Sequence, residues 1–173
     1  MLRLKLAVAV CLVSLAAIDR AAGQNFGQGE WRSGANGGVP PGAFVGGHDN
    51  GQPVYVARAS FRGGLLPGKL VSRLGQAYVP FFNKEYKVQN YDVLVGSNYK
   101  WDTWANTKDY YWPNSAVVGG YSAQQKDTLY VCRVNAGNNK ESIGKVHLRH
   151  KKCFYPHNGK EYDTSYFDLL LKL

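Results

Sequence analysis

The chain has 173 residues, 45% of them hydrophobic and 19% charged, with a formal net charge of +9. That balance favours anionic partners such as acidic glycans, microbial envelopes or nucleic acid. The basic residues are scattered, however: only Arg149-His-Lys-Lys152 forms a run, which lacks the dense stripe or module of a nucleic-acid binder.

In chain order, Met1-Leu-Arg-Leu-Lys5 is a basic start, followed by the apolar run Leu6–Ile18 and the small residues Ala21-Ala-Gly23. Residues 1–23 therefore read as a secretory signal peptide. Their apolar run is too short to cross a bilayer comfortably, and no later stretch is apolar enough to do so. A mature chain starting near Gln24 loses Arg3, Lys5, Arg20 and Asp19, which leaves a charge of about +7. Residues 24–30 are polar and Gly-rich and read as a loose N-terminus.

From Trp31 the sequence begins to repeat itself. Residues 31–95 carry W, VPPGAFVGG, VYVARA, PGKL, YVPFFNKEY and YDVLV in order. Residues 104–173 carry W, WPNSAVVGG, LYVCRV, IGKV, FYPHNGKEY and FDLLL in the same order. The period is about 75 residues, the mark of a duplicated unit, and residues 96–103 read as a short linker. Strand signals dominate: Pro53–Arg58, Ala77–Pro80, Tyr91–Val95, Thr128–Arg133, Lys145–Arg149 and Phe167–Leu171 are short and rich in β-branched and aromatic residues. Gly46-Gly47, Asp49-Asn-Gly51, Gly63-Gly64, Pro67-Gly68 and Asn158-Gly159 read as turns. The expected fold is all-β: two tandem antiparallel repeats packed with pseudo-two-fold symmetry into one globular unit, because one repeat alone is marginal in size.

Aligning the copies turns their differences into information. Cys132 stands where the first copy has Ala57, and Cys153 where it has Ala77. Two small residues replaced together by cysteines, in an oxidising compartment, predict a disulfide between neighbouring strands. The same expectation places Ala57 beside Ala77. Arg58 and Arg133 follow the Tyr-Val pair in both copies and read as structural pairing residues. Lys84-Glu85 and Lys160-Glu161 also recur, and read as hairpin anchors. Trp31 and Trp104 read as equivalent core residues. Trp112, preceded by Tyr110-Tyr111, is peculiar to the second copy and reads as a stacking surface, an interface or a satellite cluster under a loop.

Signals for catalysis are missing. There is no GxSxG, no phosphate loop and no paired His/Cys in a helical context. His147-Leu-Arg-His150 has HxxH spacing, but residues three apart on a strand point to opposite faces, so it makes a poor metal pair. No enzyme activity, cofactor or metal is expected, and no N-x-[ST] glycan acceptor is present.

The repeated words resemble the DM9 repeat, a module of insect and mollusc proteins. They are Val39-Pro-Pro-Gly-Ala43, Gly46-Gly-His-Asp49, Val54-Tyr-Val-Ala-Arg-Ala59, Leu66-Pro-Gly-Lys69, Tyr78-Val-Pro80, Lys84-Glu85 and Tyr91-Asp-Val-Leu94. The resemblance implies a tandem β-rich lectin-like fold and mannose-type glycan recognition linked to innate immunity. In mannose-binding members an acidic residue after the Gly-Gly turn and the lysine of the Pro-Gly-Lys word contact sugar. Those positions resemble Asp49 and Lys69 here, with His48 and Asn50 as flanking contacts. This chain has Asp49-Asn-Gly where the family often has a longer Asp-x-Asp-Gly loop. In the second copy Lys145 is kept, but Tyr121-Ser122 replaces the acid.

The function expected is therefore a secreted, non-enzymatic carbohydrate-binding protein for mannose or mannose-bearing microbial glycans, with homodimerisation supplying avidity. The alternatives are a charge-driven binder of anionic glycans or microbial surfaces, and a structural or interaction protein whose sugar site has decayed.

Overall fold

A computed structural model describes residues 29–104 and 114–173. The signal-peptide reading and the Tyr110-Tyr111-Trp112 cluster lie outside the described residues. Seven strands fall in the first half: β1 (Glu30–Ala35), β2 (Val45–Asp49), β3 (Gln52–Phe61), β4 (Gly64–Val71), β5 (Gln76–Phe81), β6 (Lys84–Val88) and β7 (Asn90–Val95). Seven fall in the second: β8 (Tyr99–Trp104), β9 (Val118–Ser122), β10 (Asp127–Asn135), β11 (Glu141–His147), β12 (Lys152–His157), β13 (Lys160–Thr164) and β14 (Phe167–Lys172). The described residues contain no α-helix, and the expected all-β class is what the chain adopts.

The strand order is β1-β7-β3-β4-β5-β6-β13-β12-β11-β10-β14-β8, so the second six strands retrace the first six. The halves meet where Lys84 of β6 pairs with Lys160 of β13. Strands β2 and β9 lie off this path on β3 and β10, and β9 also reaches β4 through Leu65 and Tyr121.

Period-two alternation assigns the core. On β3, Val54 and Val56 face one way, and Ala57 and Ala59 the other. The first pair joins Val71, Tyr78, Val117, Val131, Ile143 and Leu170 in a cluster drawn from both halves. The second pair joins Leu66, Leu70, Ala77, Val79 and Val93 in a cluster belonging mainly to the first half. Cys132, Val134, Val146, Cys153 and Leu169 form the corresponding cluster of the second half. Each half thus wraps its own core and presents its other face to a shared one, which makes the two halves one folding unit.

Three expectations change. Cys132 and Cys153 are bonded, with Cα atoms 6.0 Å apart, but they are not on neighbouring strands: β11 runs between β10 and β12. The bond closes the inside of a tightly curled sheet. Ala57 and Ala77 are likewise separated by β4 and share the first half's buried cluster. The curl also explains why Gly46-Gly47 and Pro67-Gly68 are strand interiors rather than turns. A Cβ on Gly68 would overlap the carbonyl oxygen of Tyr78, and one on Gly46 would meet Ile143 and Val56. Glycine is needed there for close approach of chains. The Asn50-Gly51 and Asn158-Gly159 pairs do occupy positive φ at hairpin turns.

The third change concerns the stretch read as a linker. Tyr99–Trp104 is strand β8, paired along its length with β14. Trp101 stands opposite Leu170 as Trp31 stands opposite Leu94. Each carries a guanidinium on its ring, Arg58 at 4.3 Å from Trp31 and Arg133 at 4.8 Å from Trp101. Trp101, not Trp104, is therefore the counterpart of Trp31. Both arginines are held by carboxylates, Arg58 by Asp92 at 3.2 Å and Arg133 by Asp168 at 2.7 Å, in line with their reading as structural pairing residues.

Candidate functional site

The repeated Lys and Glu words converge on two related pockets. In the first half, Lys69 on β4 and Glu85 on β6 line a cavity of about 380 Å³. Its wall also takes in Asp49 at the end of β2, Arg73, Lys87, Lys140, Glu141 and the β12–β13 hairpin tip at His157–Gly159. In the second half, Lys145 on β11 and Glu161 on β13 line a cavity of about 420 Å³ with the β5–β6 tip, Phe81–Asn83. Each pocket thus takes its Lys and Glu from one half and its hairpin tip from the other.

Reciprocal hydrogen bonds hold these tips. The ammonium of Lys69 donates to the carbonyl oxygen of Pro156 at 3.0 Å, and that of Lys145 to the carbonyl oxygen of Pro80. The carboxylate of Glu85 accepts the Gly159 N–H at 2.7 Å, and that of Glu161 the Asn83 N–H at 2.8 Å. The reading of Lys84-Glu85 and Lys160-Glu161 as hairpin anchors holds, with the glutamates reaching across to the other half's hairpin. They also line the pockets, which their repetition in both copies could have suggested.

The first pocket is densely charged. Asp49 lies 3.0 Å from Arg73 and 3.8 Å from Lys140. Its loop is docked on the opposite half, where the Asn50 N–H donates to the carbonyl of Asn139 at 3.0 Å. Lys69 is 9% exposed. Burial pushes its pKa down and Lys140 adds to this, while Glu85 and Asp49 oppose it. Burial also lowers the pKa of His157, helped by Lys69 and Lys140. Four cations (Lys69, Arg73, Lys87 and Lys140) face three carboxylates (Asp49, Glu85 and Glu141), and their spare N–H bonds and lone pairs form a donor and acceptor set that can hydrogen-bond a polyhydroxy ligand.

Of the residues singled out in the sequence, Asp49 and Lys69 come together in this pocket. His48 and Asn50 stand behind lining carboxylates. The His48 N–H donates to Glu141 at 2.8 Å, and the Asn50 amide donates to Asp49 at 3.1 Å. Lys145 lies in the second pocket, 3.1 Å from Glu161. Arg73, Lys140 and His157 were not anticipated: Arg73 and Lys140 lie outside the repeated words, and His157, although inside FYPHNGKEY, reaches this pocket from the other half.

The second pocket differs in chemistry. Ser122, His147, Phe154, Phe81 and Phe82 occupy the places that Asp49, Val71, Tyr78, His157 and Asn158 hold in the first. Lys145 is 5% exposed and sits 5.6 Å from the centre of the Phe81 ring. Burial, with the charge of Lys145, lowers the pKa of His147 from 6.5 to about 4. Its Nδ1 and an oxygen of Asp127 are 3.6 Å apart, and both are buried without a hydrogen bond. His147 and His150 have rings 5.5 Å apart. Among the described residues no group of three or more His, Cys, Asp or Glu side chains could hold a metal ion.

A larger concavity of about 770 Å³ lies along Ser33–Ala35, Arg58 and Tyr91–Asp92. It is a shallow groove whose two charged groups are engaged with each other, so the smaller, better-built pockets are the stronger candidates. No helix among the described residues is long and apolar enough to cross a membrane.

The fold is similar to that of the nematode sperm cell motility protein MFP2B, with a TM-score of 0.59 and 16% identity. The match covers 83% of this chain and 45% of that one, so this chain spans about half of the length of that neighbour. No curated protein sequence matches. The DM9 repeat model matches residues 48–164, well over half of the chain and across both halves, and the protein belongs to the DM9 repeat family.

Proposed function

We propose that the protein is a secreted, non-enzymatic carbohydrate-binding protein made of two tandem DM9 repeats. On this reading the first pocket recognises mannose-type glycans in host–microbe recognition. The observation that carries the reading is the meeting of Asp49, Lys69 and Glu85 in one cavity of about 380 Å³. A carboxylate accepts hydrogen bonds from vicinal hydroxyls, and a buried ammonium donates to the ring or hydroxyl oxygens between them. Such charge-assisted bonds gain strength in a partly desolvated pocket. Mannose is chosen over other sugars by the family resemblance of Asp49 and Lys69.

One monosaccharide makes few contacts against the entropy of association, so a single site binds weakly. Homodimerisation would then supply avidity on a glycan surface. The test is a glycan array and calorimetry with methyl α-mannoside, using wild type, Asp49→Ala and Lys69→Ala. Binding that disappears in both variants while the melting curve stays cooperative supports the reading. A wild type that binds no mannoside at millimolar concentration overturns it. Binding that vanishes with added salt and ignores Asp49→Ala points instead to a charge-driven binder of anionic glycans.

A further inference from the structure

The second pocket keeps the lysine and glutamate of the first and replaces nearly everything around them. At its mouth Phe82 occupies the first position of the two-residue turn between β5 and β6, with φ 45°. The matching position of the β12–β13 turn is Asn158, φ 49°. Asparagine and glycine suit this left-handed backbone, whereas a bulky aromatic side chain is strained there. The ring gains little burial in exchange: Phe82 is 68% exposed, with its edge against Phe81 at 4.6 Å between centroids. Arg62, Lys126 and Lys151 share this backbone at other turns; what sets Phe82 apart is an exposed aromatic ring that lines a cavity.

In the same cavity, the Lys145 ammonium bonds the Pro80 carbonyl and lies 3.1 Å from Glu161. The Phe81 ring lies 5.6 Å from the same ammonium, and both Lys145 and Glu161 line the cavity, where Glu161 keeps spare lone pairs. The acid of the first pocket is Ser122 here, a neutral donor and acceptor. The Lys145–Glu161 pair is self-neutralised, so the ligand that fits is uncharged, with one flat apolar face and hydroxyls around its edge.

We infer that the second pocket binds a gluco-configured pyranose, such as a glucose or N-acetylglucosamine unit, with its C–H face on Phe82 and its equatorial hydroxyls toward Lys145, Glu161 and Ser122. All-equatorial substitution leaves both ring faces apolar, whereas the axial hydroxyl of mannose interrupts one. The protein is thereby a two-specificity binder, one pocket for each half. This inference extends the carbohydrate-binding reading of the first pocket, but it rests on different residues.

The experiment is titration of the full chain with cellobiose, N,N′-diacetylchitobiose and methyl α-mannoside, followed by calorimetry and by sugar-to-protein saturation transfer. The variants are Phe82→Asn, which installs the first turn's counterpart residue, and Lys69→Met in the first pocket. Phe82→Asn is expected to weaken binding of at least one disaccharide tenfold or more, leave mannoside affinity unchanged, and leave Tm unchanged or higher. Lys69→Met should remove mannoside and spare the disaccharide. The inference is overturned if Phe82→Asn binds both disaccharides as wild type does. It is equally overturned if Lys69→Met abolishes them, or if wild type binds neither at tens of millimolar. Loss of the mannoside result alone would remove the reading of the first pocket and leave this one standing.

Discussion

The carboxylate of Glu85 accepts the backbone N–H of Gly159 at 2.7 Å, so a side chain from one half fixes the hairpin tip of the other. Glu161 does the same for Asn83. The pockets therefore exist only when both halves are folded together, and the residues that form their floors also join the halves.

This double duty can be separated by substitution. Glu85→Gln keeps an oxygen that accepts from Gly159, so its stability cost should stay within about 1 kcal/mol. Lys69→Met removes the donor to Pro156 and leaves the charges of Glu85 and Asp49 less compensated, which should cost about 1–3 kcal/mol. Urea unfolding of both variants measures the difference. Equal costs for the two would mean that the lysine–carbonyl bond contributes nothing to joining the halves.

The disulfide offers a control written into the chain, because Ala57 and Ala77 fill the same places in the first half. The Cys132→Ala/Cys153→Ala pair should fold, since the curled sheet accepts two alanines there. Its loss of stability should be about 3 kcal/mol, from the closure entropy of a loop spanning 21 residues. Thermal unfolding with and without reductant should show wild type falling to the level of the double variant. A wild type indifferent to reductant would contradict this.

His147 gives a pH dependence with a definite sign. Its folded pKa lies near 4 against an ordinary 6.5. Burial is the main cause and the charges of Lys145 and His150 add to it, while Asp127 opposes it. Between those pH values the unfolded chain takes up a proton that the folded chain refuses. Stability should therefore fall as pH drops from about 6.5 toward 4, and this contribution should level off below that. With solvent screening the loss should be on the order of 1–2 kcal/mol. His147→Val, which copies Val71, should remove this part of the slope, while His157 contributes a smaller one of the same sign in both proteins. Parallel stability–pH curves for wild type and variant would overturn the assignment.

The sequence exposed the architecture more readily than the sites. Strands such as Thr128–Arg133 and Phe167–Leu171 were legible because period-two apolar patterns report burial directly. Strand β8 was not, because Tyr99–Trp104 alternates weakly and is ordered by its partner β14. Asp49 and Lys69 were legible through the resemblance to the DM9 words, and Lys69 also through its repetition as Lys145. Lys140 and His157 were not, since contacts between the two halves leave no local pattern. Phe82 looked like one more apolar residue, and its positive φ becomes visible only in the turn.

The sharpest structural prediction concerns glycine in mid-strand. Gly144 lies opposite Cys132, where β11 passes between the two bonded strands. A Cβ there would overlap the Phe154 carbonyl and approach the Cα of Tyr155 at 2.8 Å. Both obstacles are backbone, so no rotamer change relieves them, and β11 and β12 would have to move apart. Gly144→Ala should therefore cost more than about 3 kcal/mol, far above the roughly 1 kcal/mol gain that removing a glycine can bring elsewhere. Gly159→Ala, at φ 80° with open space around its Cβ position, should cost less, from backbone strain alone. Chemical denaturation of the two variants decides the point, and a Gly144→Ala protein as stable as wild type would show that the strands are not packed this closely.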